Sequence, residues 1–353
     1  MAVNQAVTRL PNEAQTRSAA GSAPEAIWYQ GHWLSHLLAP LGWLYCGIAS
    51  LRRWAYRHRL LGSSAAPVPV VVVGNLTVGG TGKTPLVVWL TGHLAGQGFR
   101  PGIALRGYGG ESAARPIGVV PDSEPTRVGD EAVLLAQRTG RPVVVARDRV
   151  AAAAVLAEEY GCDLVVTDDG LQHYRLRRQL EILVVDGLRQ FGNRRCLPAG
   201  PLREPMSRLG AVDLVITNGG EHASGYQMRL EPDAAVSLVN PSRRQPLSAF
   251  VGQPLAAVAG IGHPRRFFEM LRGLGLTVIE LPYPDHHAFA AQDLEHWPPG
   301  PVLMTEKDAV KCRGFARPEH WFVPVSAAPE QGFIEALDLA LGELRRGSDE
   351  TDG

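Results

Sequence analysis

Residues 68–85 read VPVVVVGNLTVGGTGKTP, and this stretch decides the fold. Its first half is a continuous apolar run, which is typical of a strand buried on both faces. Its second half is a glycine-rich loop before a predicted helix, and such a loop presents backbone N–H groups to phosphate. In this P-loop pattern Lys83 reaches the β- and γ-phosphates and Thr84 ligates magnesium. The predicted nucleotide-binding residues of the stretch are Asn75, Thr77, Gly79, Gly80, Thr81, Gly82, Lys83 and Thr84.

Further apolar runs follow this loop at regular intervals. PGIALR, RPVVVA, CDLVVTD, EILVVD and VDLVITN predict strands, and helical patterns lie between several of them, notably at 130–138 and 148–159. This alternation predicts an α/β fold: a P-loop NTPase-type, mostly parallel sheet with helices on both faces. After the turn-rich NGGEHASG, a second strand and helix series predicts a smaller α/β C-terminal domain.

The predicted division of the chain follows these changes of pattern. It comprises a flexible tail at 1–24, an amphipathic helical segment that associates with a membrane at 25–62, a P-loop domain at 63–220, a C-terminal α/β domain at 221–346 and a tail at 347–353.

The segment at 27–61 contains four of the seven tryptophans, and arginines follow them. Its uncharged, mostly apolar run at 37–51 is shorter than the roughly 20 residues that span a bilayer. Tryptophan beside arginine favours an amphipathic helix that lies in the membrane interface. The alternatives are two helices packed on the protein's own core, or a marginal transmembrane anchor.

Two acidic motifs accompany the P-loop. VVTDDGLQH (165–173) ends an apolar strand with Asp168 and Asp169, where P-loop folds place the carboxylate that serves magnesium. Neighbours in an extended chain face opposite sides, so we expect different roles for the two, and the sequence leaves open which one contacts the metal. RVGDEAVLL (127–135) places Asp130 at the start of a helix, either as a helix cap or as a general base.

Lysine is rare in this chain, and its positions are informative. Of 35 basic residues only Lys83, Lys307 and Lys311 are lysine. In a chain biased toward arginine, a lysine is expected where a compact ammonium is needed. Lys83 lies in the P-loop, whereas chance retention is the alternative explanation for Lys307 and Lys311.

Eight segments, in order from residue 74 to about 312, closely resemble the tetraacyldisaccharide 4′-kinase family. They are GNLTVGGTGKTP, LRGYGG, VGDEAVLL, VTDDGLQHYRL, LPAGPLREP, AGIGHPRRFF, PDHHAF and MTEKDAVKC. The resemblance implies a kinase that uses ATP and Mg²⁺ to phosphorylate the 4′-hydroxyl of a lipid substrate, tetraacyldisaccharide 1-phosphate. It also implies a location at the cytoplasmic face of the bacterial inner membrane, with the membrane surface as a partner.

The resemblance implies residue roles as well. Asp130 would be the base with His286 as its partner, and Lys83, Arg149 and Tyr108 would lie at the reaction centre, where Tyr108 would also bind the nucleotide. The residues implied on the magnesium side are Thr84, Asp168, Asp169 and Glu204. The choices of Arg149 over Arg147, and of His286 over His263 or His287, stay open.

Composition bounds the remaining alternatives. The formal net charge is zero, which argues against a nucleic-acid partner, and no protein partner is evident. The four cysteines form no CxxC pair, which argues against structural zinc. A GTPase-type switch would need an [NT]KxD stretch, and TEKD at 305–308 has its lysine one place too late. A degenerate nucleotide-binding module is suggested only by Thr77, which stands where the P-loop pattern has glycine.

Overall fold

The structure, a computed structural model, describes residues 23–107, 115–220 and 225–349. The helices in chain order are α1 (Ala23–Tyr29), α2 (Leu34–Leu37), α3 (Ala39–Arg57), α4 (Lys83–Gly96), α5 (Pro125–Val128), α6 (Asp130–Thr139), α7 (Arg149–Glu158), α8 (Pro264–Gly273), α9 (Glu306–Cys312) and α10 (Gln331–Asp349). Short 3₁₀ helices cover Met206–Ala211, Leu247–Phe250, Ala291–His296 and Arg313–Phe315.

A nine-stranded sheet forms the larger part of the molecule. Its strands are β1 (Val70–Gly74), β2 (Pro101–Leu105), β3 (Ile117–Val119), β4 (Val143–Val145), β5 (Leu164–Thr167), β6 (Leu180–Asp186), β7 (Leu214–Asn218), β8 (Tyr226–Pro232) and β15 (Val325–Pro329). Their spatial order is β15-β8-β7-β6-β1-β5-β2-β4-β3, and only the outermost pairs, β15–β8 and β4–β3, are antiparallel. The predicted mostly parallel α/β sheet is therefore confirmed.

Both faces of this sheet are covered, which explains the continuous apolar run in β1. Val71 and Val73 pack on one face in a core shared with α4, α6 and α10. Val70 and Val72 pack on the other face in a core shared with α7 and the loops around 171–202. Since successive side chains of a strand point to opposite faces, burial on both sides requires an apolar residue at every position. β1 lies centrally, so the loop that follows it opens at the middle of the sheet edge.

A second sheet of six strands forms the smaller unit. Its strands are β9 (Ala235–Ser237), β10 (Arg244–Gln245), β11 (Pro254–Ala259), β12 (Thr277–Pro282), β13 (Val302–Thr305) and β14 (His320–Val323), in the spatial order β10-β9-β14-β13-β11-β12. All of it lies between β8 and β15 along the chain, and those two strands pair in the large sheet with Val325 opposite Pro232. The division at residue 220 stays a prediction, because β8, β15 and α10 lie beyond it and complete the larger unit.

The N-terminal helices pack on the larger unit through small residues and side-chain hydrogen bonds. A Cβ on Gly42 of α3 would lie 2.9 Å from the carbonyl oxygen of Cys196, so glycine permits the close approach of α3. Arg195 Nη1 donates to the carbonyl of Ser35 at 2.7 Å, and Trp28 Nε1 donates to the carbonyl of Pro198 at 3.0 Å. One side of α3 is thereby fixed to the body of the protein.

The opposite side of α3 is exposed and strongly apolar. Its exposed large side chains are Leu41, Trp43, Leu44, Tyr45, Ile48, Leu51 and Trp54. The N-terminal helices thus do pack on the protein, as one alternative expected, but α3 leaves this apolar side exposed. No helix within the described residues is both long and apolar enough to cross a bilayer.

Candidate active site

The loop between β1 and α4 is fixed by donors that bind its carbonyl groups. Asn75 Nδ2 donates to Gly79 O at 3.1 Å, Arg189 Nη2 to Gly80 O at 2.6 Å, and Asn218 Nδ2 to Thr81 O at 3.0 Å. These bonds fix the loop at the N-terminus of α4, where backbone N–H groups favour an anionic ligand.

Gly82 caps α4 with a φ of 90°, and a Cβ there would lie 2.4 Å from Asn218 Nδ2. Both the backbone conformation and the close approach of Asn218 therefore require glycine at this position. Sequence reasoning missed Asn218 and Arg189. A polar residue at the end of the apolar run VDLVITN is the one signal that points to Asn218, and nothing comparable marks Arg189.

Thr84 and Asp168 meet beside this loop. Thr84 Oγ1 donates to Asp168 Oδ2 at 3.1 Å, and Asp168 is 3% exposed. Burial raises the pKa of Asp168 to about 7, and the negative charge of Glu131 adds to the rise. A buried carboxyl with so high a pKa is a strong candidate for a site that receives a cation.

Asp169 has a different environment from Asp168, but not through strand alternation, because it follows β5 and has a φ of 52°, outside the extended region. Its carboxylate lies 3.4 Å from Lys83 Nζ and accepts two hydrogen bonds from Arg203 Nη1, at 2.8 and 2.9 Å. Burial alone would raise the pKa of Asp169, but Lys83 and Arg203 outweigh it and hold the pKa well below its usual range. Asp169 therefore orients the lysine of the loop.

Arg149 and Glu204 complete the side of the site nearest to the DDG motif. Arg149 is buried and donates from Nη2 to the backbone oxygen of Asp168 at 2.9 Å, and burial lowers its pKa to about 10. Arg147 also lines the cavity. Glu204 accepts hydrogen bonds from the Tyr174 hydroxyl and, at 3.2 Å, from Gln172 Nε2. The role of Glu204 with magnesium stays a prediction, because its carboxylate already has these partners.

Asp130 and His286 form a pair between the two units. Asp130 opens α6, is 5% exposed, and has Oδ2 3.2 Å from His286 Nδ1. Burial alone would raise the pKa of Asp130, but the hydrogen bond from His286 and the charge of Lys307 lower it below its usual value. The same hydrogen bond raises the pKa of His286. The structure thus brings together two residues that are 156 positions apart.

The neighbouring histidines have other surroundings. His287 Nε2 lies 3.2 Å from Asp293 within its own unit, and His263 lines the cavity at the start of α8. Among the three histidines weighed from the sequence, His286 is the one that an ion pair links to Asp130. This contact agrees with the choice of His286.

Most of these groups line one large cavity of about 1830 Å³, and Asp130 is buried next to His286 on its wall. Pockets for one small ligand usually measure about 300–1,000 Å³, so this volume accommodates a nucleotide and a second substrate. The phosphate loop and Asp168 line it on one side, and His286 and Lys307 line it on another. Residues of α3 complete the wall: Tyr45, Ile48, Ala49 and Arg52. The cavity therefore reaches from the phosphate loop to the apolar helix.

Three predicted nucleotide-binding residues lie off this wall or outside the described part of the chain. Asn75 acts from behind the loop through its bond to Gly79, and Thr77 is buried and forms a bridge with Leu202. Thr77 thus occupies the first position of the P-loop pattern as a packed residue. Tyr108 lies outside the described residues.

A phosphate loop at the carboxyl end of a central parallel strand, a buried aspartate beside its threonine and an aspartate–histidine pair in the same cavity define a P-loop kinase. Comparisons with known proteins identify the family. The model of the tetraacyldisaccharide-1-P 4′-kinase family matches residues 34–342, and the chain belongs to that family.

Individual relatives support the same family assignment. The tetraacyldisaccharide 4′-kinase of Nitrosococcus oceani is 51% identical over 306 residues, which cover 87% of this chain and 90% of the relative. The tetraacyldisaccharide 4′-kinase of Alkalilimnicola ehrlichii is 52% identical over 313 residues, which cover 88% of this chain and 94% of the relative. Among solved structures, LpxK from Aquifex aeolicus in complex with ATP superposes with a TM-score of 0.72 at 27% identity, covering 88% of this chain and 99% of that one.

Proposed function

We propose that this protein transfers the γ-phosphate of ATP to the 4′-hydroxyl of tetraacyldisaccharide 1-phosphate, forming the 4′-phosphate of the lipid A precursor. The observation that carries the proposal is the single cavity. It joins a phosphate loop, an aspartate–histidine pair and the apolar helix α3. A kinase for a soluble acceptor needs the first two of these features, and an acyl-chain substrate calls for the third.

The nucleotide lies along the phosphate loop. Lys83 leaves Asp169 for the β- and γ-phosphates, and Arg203 remains to balance the charge of Asp169. Because the loop is fixed from behind by Asn75 and Asn218, it needs little reorganisation when the phosphates bind.

Magnesium fits beside Thr84 and Asp168. Asp168 Oδ1 is buried without a hydrogen-bond partner among the described residues, and a dication would relieve the unfavourable burial of its charge. The described ranges contain no cluster of three or more His, Cys, Asp or Glu side chains suited to a metal. That agrees with magnesium in kinases, which takes one or two protein ligands and completes its shell with phosphate and water. When bound, the ion neutralises charge that develops on the phosphoryl oxygens.

Asp130 and His286 act together on the acceptor. His286 lines the cavity and Asp130 is buried next to it, so the pair accepts the proton of the 4′-hydroxyl as one unit. Arg149 fixes the backbone at Asp168 and thereby helps to hold the carboxyl of that residue beside Thr84.

The lipid is reached at the cytoplasmic surface of the inner membrane. Moving four acyl chains into water would cost about 0.8 kcal/mol for each exposed CH₂ group, so the enzyme must work at the surface. The exposed side of α3 lies in the interface, and Tyr45, Ile48 and Arg52 lead from it into the cavity. Only the sugar headgroup then has to enter the site.

The test is a purified-protein assay with labelled ATP, Mg²⁺ and tetraacyldisaccharide 1-phosphate in detergent micelles, with Lys83→Ala alongside. We expect label on the lipid, and a loss of about 10²–10³-fold or more in the variant because one main source of charge stabilisation is removed. ATP or GTP hydrolysis with no labelled lipid would instead identify a nucleotide-dependent switch, and the kinase proposal would be wrong.

A further inference from the structure

The three lysines of this arginine-rich chain converge on one site. Lys83 belongs to the phosphate loop, Lys307 lines the same cavity, and Lys311 Nζ lies 3.8 Å from Asp130 Oδ2. Lys307 and Lys311 are one helical turn apart on α9, and they come from the smaller unit, whereas Asp130 belongs to the larger one. Chance retention of lysine does not account for this convergence.

The first turn of α9 is fixed to the edge of the smaller sheet. Asp308 is fully buried and its Oδ2 accepts hydrogen bonds from Thr305 Oγ1 at 2.6 Å and from the backbone N–H of Gly260 at 2.9 Å. Thr305 ends β13 and Gly260 follows β11, so both contacts come from the carboxyl edge of that sheet. The remaining oxygen, Asp308 Oδ1, lies 2.8 Å from Lys311 Nζ.

Lys311 is enclosed by this arrangement. Its side chain is 10% exposed, and its ammonium lies between Asp308, Asp130 and the ring of Phe289, whose centroid is 5.0 Å away. A buried cation is stable only with such charged and aromatic partners. The compact ammonium suits this space, whereas the planar fork of arginine is larger and requires several acceptors.

We propose that Lys311, anchored by Asp308, is a positioning residue that keeps the Asp130 carboxylate ionised and directed at His286. The inference deepens the proposed function and rests on it. The smaller unit then supplies both neighbours of the base: His286 on the cavity side and Lys311 on the buried side. Docking of the smaller unit on the larger one is thus a condition for an active base.

The charges that face Asp130 determine whether the loss of Lys311 raises or lowers the pKa of Asp130. They are His286 from the loop after β12, Glu131 on its own helix, and Lys307, Asp308 and Lys311 from α9. A nearby cation lowers the pKa of a carboxyl by about 1–3 units. Without Lys311 the pKa of Asp130 rises, so the base becomes protonated, and activity falls, at a higher pH than in the wild type.

The experiment compares the pH dependence of kcat in four proteins: wild type, Lys311→Met, Lys311→Arg and the double variant Lys311→Met with Asp308→Asn. The double variant removes both buried charges, so it folds without a stranded carboxylate. We expect the acidic limb to move up by about one pH unit or more in Lys311→Met. It should move up by less in the double variant, which also loses the negative charge of Asp308, and in Lys311→Arg, which keeps the positive charge but not the compact ammonium. Arg313→Met is the matched control, because Arg313 also contacts α6, through Gln137, but lies away from Asp130.

The variant Asp130→Asn shows whether a failed prediction concerns the role of Lys311 or the assignment of Asp130 as the base. If Asp130→Asn is inactive and both Met variants keep the wild-type acidic limb, the inference about Lys311 is wrong and the proposed base stands. If Asp130→Asn retains full turnover with an unchanged pH profile, the base assignment itself is wrong. An equal shift in Arg313→Met would mean that any loosening of the contact between α6 and α9 suffices, which also overturns the specific role of Lys311.

Discussion

The nucleotide side and the acceptor side of the cavity are built in different ways. On the nucleotide side, Lys83, Thr84, Asp168 and Asp169 all follow strands of one sheet, and they contact one another directly. On the acceptor side, Asp130 comes from the larger unit while its partner His286 comes from the smaller one. The residues named in the first half come from one unit, although a Cβ on Gly262 of the smaller unit would lie only 3.3 Å from Gly80 N of the phosphate loop. The pair that forms the second half exists only when two units meet.

This difference separates binding from transfer. A variant on the nucleotide side should change how ATP and magnesium are held, whatever the acceptor does. A variant on the acceptor side should leave ATP binding intact and stop the transfer, because its residues act only on the hydroxyl. Measuring the two properties separately therefore tests whether the halves are independent.

The largest effect is expected from Asp130→Asn. Loss of a positioned general base lowers kcat by about 10²–10⁴-fold, while the affinity for ATP should change little because Lys83 and its partners are untouched. Steady-state kinetics with lipid in micelles, together with ATP binding by calorimetry, measure both quantities. A comparable loss of ATP affinity would show that the two halves are coupled, and the contrast drawn above would be wrong.

A smaller effect is expected from Leu44→Asp on the exposed side of α3. Removing one apolar anchor and adding a charge should weaken binding to lipid vesicles by about tenfold or more, with ATP binding unchanged. Leu339→Asp on α10 is the matched control, since the two leucines are 61% and 65% exposed. Vesicle sedimentation measures the difference, and equal losses in both variants would argue against α3 as the membrane-facing surface.

The smallest effect is expected from Asp168→Asn, which acts on the nucleotide side alone. The pKa of Asp168 rises from its usual value to about 7 on folding, so the folded state binds this proton more tightly. Without magnesium, stability is therefore lost as the pH rises from about 4 toward 7 and the buried carboxyl ionises.

Asp168→Asn removes that loss. Between pH 5 and pH 8 its Tm should fall by a few degrees less than that of the wild type, as differential scanning fluorimetry without magnesium would show. The exposed Asp122→Asn is the control and should follow the wild type. If both proteins lose Tm equally with rising pH, Asp168 is not the responsible group.

The difference between the nucleotide side and the acceptor side also explains which parts of the site the sequence could predict. The strands, the phosphate loop and the DDG turn are contiguous patterns, so the α/β fold and the nucleotide side follow from local periodicity and glycine placement. Asp130 at a helix start is indistinguishable from an ordinary cap, and only its contact with His286, far along the chain, distinguishes the two.

Other features depend on the tertiary structure in the same way. Arg189, in the turn after β6, and Asn218, at the end of β7, reach the phosphate loop from positions far along the chain, and no local pattern marks such contacts. Likewise β15 follows the strands of the small sheet along the chain, but it pairs with β8 in the large sheet. Pairing between strands far apart in sequence is determined by the assembled fold rather than by either strand alone.

That pairing constrains how the two units can move. The chain leaves the larger unit after β8 and returns at β15, and these crossings lie side by side because Val325 is opposite Pro232. A unit that is attached through two adjacent strands can rotate about the line that joins the attachments, but it cannot slide or turn freely. Any such rotation would bring His286 and α9 back to the same place against Asp130, so the register of the reacting groups would be kept.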